Sequence, residues 1–170
     1  LPDMKVLAVY RPYAAVVRSL LRRDYAQWQQ LHPLSPRSLM QRPASYLTYS
    51  IANPSRTRLY LSVWARYNRD LLAYARSYPD DVIMVRFDDL AVSSTRLITY
   101  MTSKWHFAFE PVDARSVIVP ELIHHRPNGW MNRYLAVLEG SVLPTWTQLE
   151  AQRRRWLSDI SALDGAVVNG

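Results

Sequence analysis

Lys5-Val6-Leu7-Ala8-Val9-Tyr10 is followed at once by Arg11-Pro12 and then by Tyr13-Ala14-Ala15-Val16-Val17-Arg18-Ser19-Leu20-Leu21. The first run is short, continuous and apolar, which is the pattern of a strand buried on both faces of a parallel sheet. Pro12 stops it. A proline suits the start of a helix, because the N–H it lacks would have no partner there. From Tyr13 to about Tyr25 the period becomes helical, with Val16, Val17, Leu20 and Leu21 on an inner face and Arg18, Arg22 and Arg23 outside. The chain therefore opens as strand, sharp turn, helix.

The same grammar returns further on. Asn53-Pro54 starts a strong helix, with Asn53 as N-cap and Pro54 at the first position. Leu59, Val63, Tyr67, Leu71 and Tyr74 line its apolar stripe, widened by Leu72 and Ala75, and the helix ends before Pro79. Asp80-Asp81 makes a turn, and Val82-Ile83-Met84-Val85-Arg86-Phe87 is a second strand of the buried type. Asp88-Asp89 reads as the turn that leaves it, with Ser93 or Ser94 capping a helix to about Thr102. The expected fold class is α/β, a parallel sheet with helices on both faces. Between these halves, residues 31–54 form a Pro-rich insert with one short helix near Ala44–Ser50. Such excursions are often binding loops. Two helices, Asn128 to about Glu139 and Pro144 to about Leu157, close the chain around Gly140 as C-cap, with residues 158–170 as a flexible tail. Residues 1–170 are read as one domain, and no internal repeat interrupts it.

Composition narrows the chemistry. At 170 residues, 49% hydrophobic and 21% charged, the chain can build one substantial core. It contains no cysteine, which excludes disulfides, thiolate metal sites and cysteine nucleophiles and fits a reducing, cytoplasmic setting. No uninterrupted apolar run approaches the roughly 20 residues of a membrane span. Only Lys5 and Lys104 are lysines, so 19 of the 21 basic side chains are arginines, and the net charge is +7. Arginine grips phosphate and carboxylate bidentately where lysine acts as a point charge. The partner implied is a phosphate-bearing one, against the plainer reading of an arginine-rich coding bias. No helix-turn-helix, zinc finger or RNA-binding aromatic signature accompanies the charge, so nucleic acid is not the expected partner.

In open parallel sheets, ligands bind outside the carboxyl ends of the strands. Arg11 lies at that edge of the first strand, and Ser19 follows eight residues later on the adjoining helix. A guanidinium and a hydroxyl so placed can converge on one phosphate. The run Val9-Tyr10-Arg11-Pro12-Tyr13-Ala14-Ala15-Val16-Val17-Arg18-Ser19-Leu20 resembles the 3′-phosphate-binding segment of the PAPS-dependent sulfotransferase family. Trp64-Ala65-Arg66-Tyr67-Asn68-Arg69-Asp70-Leu71-Leu72 resembles the helix before that family's next strand, and Val82 to Leu90 resembles the strand and its acidic turn. The resemblance covers about Val6 to Met101, in the family's order. It implies a P-loop-like α/β fold and PAPS (or its product PAP) as co-substrate without a metal. It also implies sulfuryl transfer to a hydroxyl or amine acceptor, with Arg11 and Ser19 on the 3′-phosphate.

The departures are as informative. The family's first strand and its Gly-containing phosphosulfate loop have no counterpart before Lys5, and the only glycines are at 129, 140, 165 and 170. Ser35-Pro36-Arg37-Ser38 lacks the strand and glycine that a phosphate nest requires. The chain thus resembles only the later part of a sulfotransferase, and no catalytic residue is assigned. Either another segment supplies the loop, or the chain is a non-catalytic relative serving as a basic interaction module. In both cases an open sheet edge is expected to be covered by a protein partner or a second segment. Arg126, in Arg126-Pro127-Asn128-Gly129-Trp130, is a further candidate phosphate contact, from a resemblance to the loop that closes over PAPS. His124-His125 lacks metal-ligand company at standard spacing. Trp28, Tyr46 and Tyr49 are candidates for an acceptor wall, and Arg153-Arg154-Arg155 reads as a solvated helix face.

Overall fold

The computed structural model describes residues 4–31, 46–107 and 129–168. The elements run β1 (Val6–Tyr10), α1 (Tyr13–Leu31), α2 (Tyr46–Ala52), α3 (Pro54–Ser77), β2 (Val82–Arg86), α4 (Phe87–Trp105), α5 (Gly129–Leu138) and α6 (Val142–Val168). Among the described residues the protein is mostly helical, with one small parallel sheet. The two runs read as strands pair directly, in register from Val6 opposite Val82 to Tyr10 opposite Arg86. Val6 N–H donates to Asp81 C=O at 2.7 Å, and Lys5 closes an ion pair on Asp81.

The described chain divides into two compact units. The first holds Leu1–Pro12, Tyr67–Arg126 and Pro144–Gly170, and therefore the sheet with α4 and α6. Its core gathers Ile83 and Val85 of β2, Leu97, Tyr100, Met101 and Trp105 of α4, and Trp156 and Ile160 of α6. Val82 to Val85 are all buried. Because successive strand residues point to opposite faces, β2 is covered on both. β1 is not: Val9 is 40% exposed, so the expectation of a strand buried on both faces fails there. The second unit holds Tyr13–Arg66 and Pro127–Leu143. Val17 and Leu21 of α1, Leu61 of α3 and Leu135 of α5 are fully buried, and Tyr13 meets Trp64 edge-on at 5.7 Å.

Several local expectations are corrected. The stripe Leu59, Val63, Tyr67 of α3 faces solvent, each residue more than half exposed. The buried side is Thr57, Leu61, Trp64, Ala65, Asn68, Leu72 and Ala75. Two stripes of equal helical period coexist on α3, and only packing selects between them. Asn53 lies at the N-cap position of α3, its C=O accepting from Thr57 N–H at 3.3 Å, but its side-chain amide donates back to Tyr49 C=O at 2.9 Å. It binds α3 to α2 instead of capping α3. Asp88 and Asp89 are not a turn: α4 begins at Phe87 and takes both carboxylates into its first turn, where they oppose the positive end of the helix dipole. Gly140 has no positive φ; the turn is held by Glu139, whose carboxylate accepts from the Ser141 hydroxyl at 2.8 Å. The one non-glycine residue in the left-handed region among those described is His106 (φ 57°), which ends α4 by donating its N–H to Thr102 C=O. α6 continues to Val168, so the stretch from 158 is helix to that point.

Candidate functional site

Arg11 stands in the two-residue link after β1, at the carboxyl end of the parallel pair. Its guanidinium lies over the ring of Phe87, the first residue of α4, 4.5 Å from the centroid. A cation over an aromatic face is held in place by the ring quadrupole. Arg11 itself is half-buried.

Around it the strand ends and α6 build a dense charge network. Arg153 grips Asp89 with both ends of its guanidinium, Nε to Oδ2 at 2.7 Å and Nη2 to Oδ1 at 2.8 Å. Arg153 Nη1 also lies 3.4 Å from Glu150 Oε2. The other oxygen of Glu150 accepts from the Tyr10 hydroxyl at 3.1 Å and lies 3.6 Å from Arg86 Nη1. Arg86 Nε is 3.3 Å from Asp88 Oδ2, yet it makes no hydrogen bond of good geometry, so that contact is one of charge proximity. Burial first, then the Glu150 carboxylate, pushes the Tyr10 hydroxyl far above the usual tyrosine range. The hydrogen bond to Asp89 likewise strengthens the hold of Arg153 on its proton. Tyr10 also meets Trp146 edge-on at 6.1 Å, so β1 is fastened to α6 by ring and hydroxyl together.

The chemistry of this arrangement is positional. Asp88, Asp89 and Glu150 each face a guanidinium. Arg86 and Arg153 are spent on these carboxylates. Arg153 is accordingly no part of a solvated face, although Arg154 and Arg155 are exposed as expected. Sequence reasoning missed the Asp89–Arg153 pair because its members lie 64 residues apart. An Arg-rich run and an Asp pair are each commonplace; only the fold joins them.

Ser19 lies on α1, exposed, in the second unit, whereas Arg11 belongs to the first. Arg126 and the neighbouring His124-His125 lie outside the described residues, as does the Ser35–Ser38 run. Trp28 and Tyr49 are packed with Tyr25 into one aromatic cluster with centroids 5.7 to 6.3 Å apart, in which Tyr49 is buried and Trp28 half-buried. In the same unit a buried carboxylate escaped the sequence reading: Asp24 accepts from Arg56 at 3.1 Å and from the Tyr60 hydroxyl. Among the described residues no cluster of His, Asp and Glu could hold a metal ion, and no helix is long and apolar enough to cross a membrane. No protein-family model, no curated protein and no solved structure matches the chain.

Proposed function

We propose that the chain is a sulfotransferase-like domain that binds the 3′-phosphate end of PAPS through Arg11. The observation that carries this reading is the position of Arg11: directly past a parallel strand, at the carboxyl end of the sheet, braced on Phe87. That is where ligands of open parallel sheets bind. Support also comes from the ordered resemblance of three segments and from an arginine-rich charge of +7. In this reading Arg11 supplies paired charged donors to the 3′-phosphate. Recognition of the 3′-phosphate then separates PAPS from nucleotides without it. Where the phosphosulfate is also held, the sulfuryl group passes in line to an acceptor hydroxyl or amine, PAP departs, and the acceptor loses its proton. Positioning and charge stabilisation supply the catalysis.

A second reading, a non-catalytic interaction module on the same scaffold, is favoured by the exposed Val9 on β1, whose free edge has no strand beside it among the described residues. Calorimetric titration with adenosine 3′,5′-bisphosphate separates the two. Charge-assisted hydrogen bonds contribute roughly 1.5–3 kcal/mol, so Arg11→Ala is expected to weaken binding by about one to two orders of magnitude. Arg11→Lys should recover part of it. Wild-type protein that does not bind the bisphosphate, or binding indifferent to Arg11, sinks the nucleotide reading.

A further inference from the structure

A cavity of about 270 Å³ opens in the sheet-bearing unit, away from Arg11. Val82, Ile83 and Met84, three consecutive residues of β2, all line it. Consecutive strand residues point to opposite faces, so one cavity touching all three meets the strand at its edge. β1 occupies one edge, and no strand pairs with the other among the described residues. The hydrogen bonds identify which groups face it. Asp81 C=O turns to β1, where it accepts from Val6 N–H, and Val82 N–H turns back to Tyr78 C=O at 3.1 Å. By alternation, the N–H and C=O of Met84 point away from β1, toward the cavity.

The walls combine two features. Tyr100 and Trp156, both nearly fully buried, contribute aromatic surface. The indole N–H of Trp156 is buried without an acceptor among the described residues, which marks a wall with polar capacity unmet. The rim is basic: Arg76, Lys104 and Arg155 against the single carboxylate of Asp159. Asp159 is engaged by the Tyr100 hydroxyl at 3.0 Å, Arg76 by Gln148 at 2.6 Å and Lys104 by Pro79 C=O at 3.1 Å. Arg155 makes no hydrogen bond or ion pair with a described residue, and it is exposed at the mouth.

We infer that this cavity is a binding site for a small aromatic anion, a single ring carrying a carboxylate or phosphate, with the ring against Trp156 and the oxyanion on Arg155. The size fits. A benzene ring fills an apolar cavity of about 150 Å³, so the remaining volume takes one charged substituent. Just below the range for drug-sized ligand sites, the cavity leaves no room for a nucleotide. The inference is independent of the nucleotide reading, since the cavity touches the amino half of β2 and Arg11 stands at the carboxyl end of the sheet.

The test is titration of the intact chain with phenyl phosphate and with benzoate, followed by tryptophan fluorescence and calorimetry. At least one of the two is expected to bind saturably. Arg155→Gln, which removes an exposed side chain with no partner to orphan, should weaken that binding about tenfold. Arg155→Lys should restore part of it. Arg11→Ala should leave it unchanged, and inorganic phosphate should compete poorly because it lacks the ring. No saturable binding of either probe at millimolar concentration overturns the inference. So does binding indifferent to Arg155→Gln, or lost in Arg11→Ala, or matched by inorganic phosphate.

Discussion

Arg153 and Asp89 meet through two short, parallel hydrogen bonds in a half-buried setting, the geometry in which an ion pair matters most to its neighbours. Removing one partner strands the other charge. Arg153→Ala is therefore expected to destabilise the fold by about 3 kcal/mol in chemical denaturation. The double variant Asp89→Leu with Arg153→Met should recover much of the loss, because the Asp89 charge goes with its partner and Glu150 keeps Arg86. A single-variant cost well under 1 kcal/mol would reduce the pair to a surface contact. Tyr100 carries a second residue-scale prediction. Burial, and then its hydrogen bond to Asp159, pushes its hydroxyl up to about 12 from 10.0. A group whose pKa rises on folding contributes stability that is complete below the unfolded value and lost as pH climbs through the folded one. Stability should thus hold up to about pH 10 and fall toward pH 12. Tyr100→Phe should flatten part of that fall in alkaline denaturation curves. The raised Tyr10 hydroxyl contributes to the same window, so the flattening should be partial.

At the scale of the element, α3 shows how far periodicity alone can carry a reading. Its length and both ends agree with the sequence: Pro54 opens it and Ser77 ends it ahead of Pro79. Its orientation does not. Leu59 and Leu61 are two residues apart, hence on nearly opposite sides, and the apolar count of their stripes is similar. The buried stripe includes Asn68 and Thr57, polar residues that a pattern search discards; the Thr57 hydroxyl lies 3.4 Å from Ser50 C=O. Leu61→Ala should cost about 2–5 kcal/mol, because it leaves a cavity in a filled site. Leu59→Ser should stay within about 0.5 kcal/mol. Thermal or urea unfolding of both variants checks the assignment, and the reverse ranking would overturn it. The start of α4 teaches the same lesson at a helix end. Asp88 and Asp89 carry turn propensity, yet the dipole of the helix and the pull of Arg86 and Arg153 draw them into its first turn.

For the whole molecule, the sheet-bearing unit is assembled from three separated stretches of chain. α6 is the last of them, and it supplies Trp156 and Ile160 to the core, Arg153 to Asp89, and the acceptors of the Tyr10 hydroxyl. A chain truncated after Leu143 should therefore lose amide-exchange protection along β2, which on the intact chain is buried throughout Val82–Val85. Retained protection of Ile83 and Val85 in the truncated chain would show that α4 alone suffices. Such a unit pays the entropy of closing long loops before its contacts form, so the contacts made by α6 are among the last that local sequence can announce.

Local chemistry was enough to locate the strands, to start helices after Pro12 and at Pro54 and end one ahead of Pro79, and to place Arg11 at a strand's carboxyl end. Each of these depends on residues a few positions apart: a β-branched and apolar run, a missing N–H, a change of period. That both runs are parallel strands of one sheet was also legible, because two continuous apolar strands separated by helices have few alternatives to lying parallel; that they pair directly came from the fold. Folding alone decided which side of α3 is inside, that Val9 stays half in solvent, and that Arg153 serves Asp89 while Arg155 stands at the mouth of a cavity. Burial and charge pairing are properties of neighbours in space. Partners 64 residues apart, as Asp89 and Arg153 are, share no local period or spacing that could have joined them beforehand.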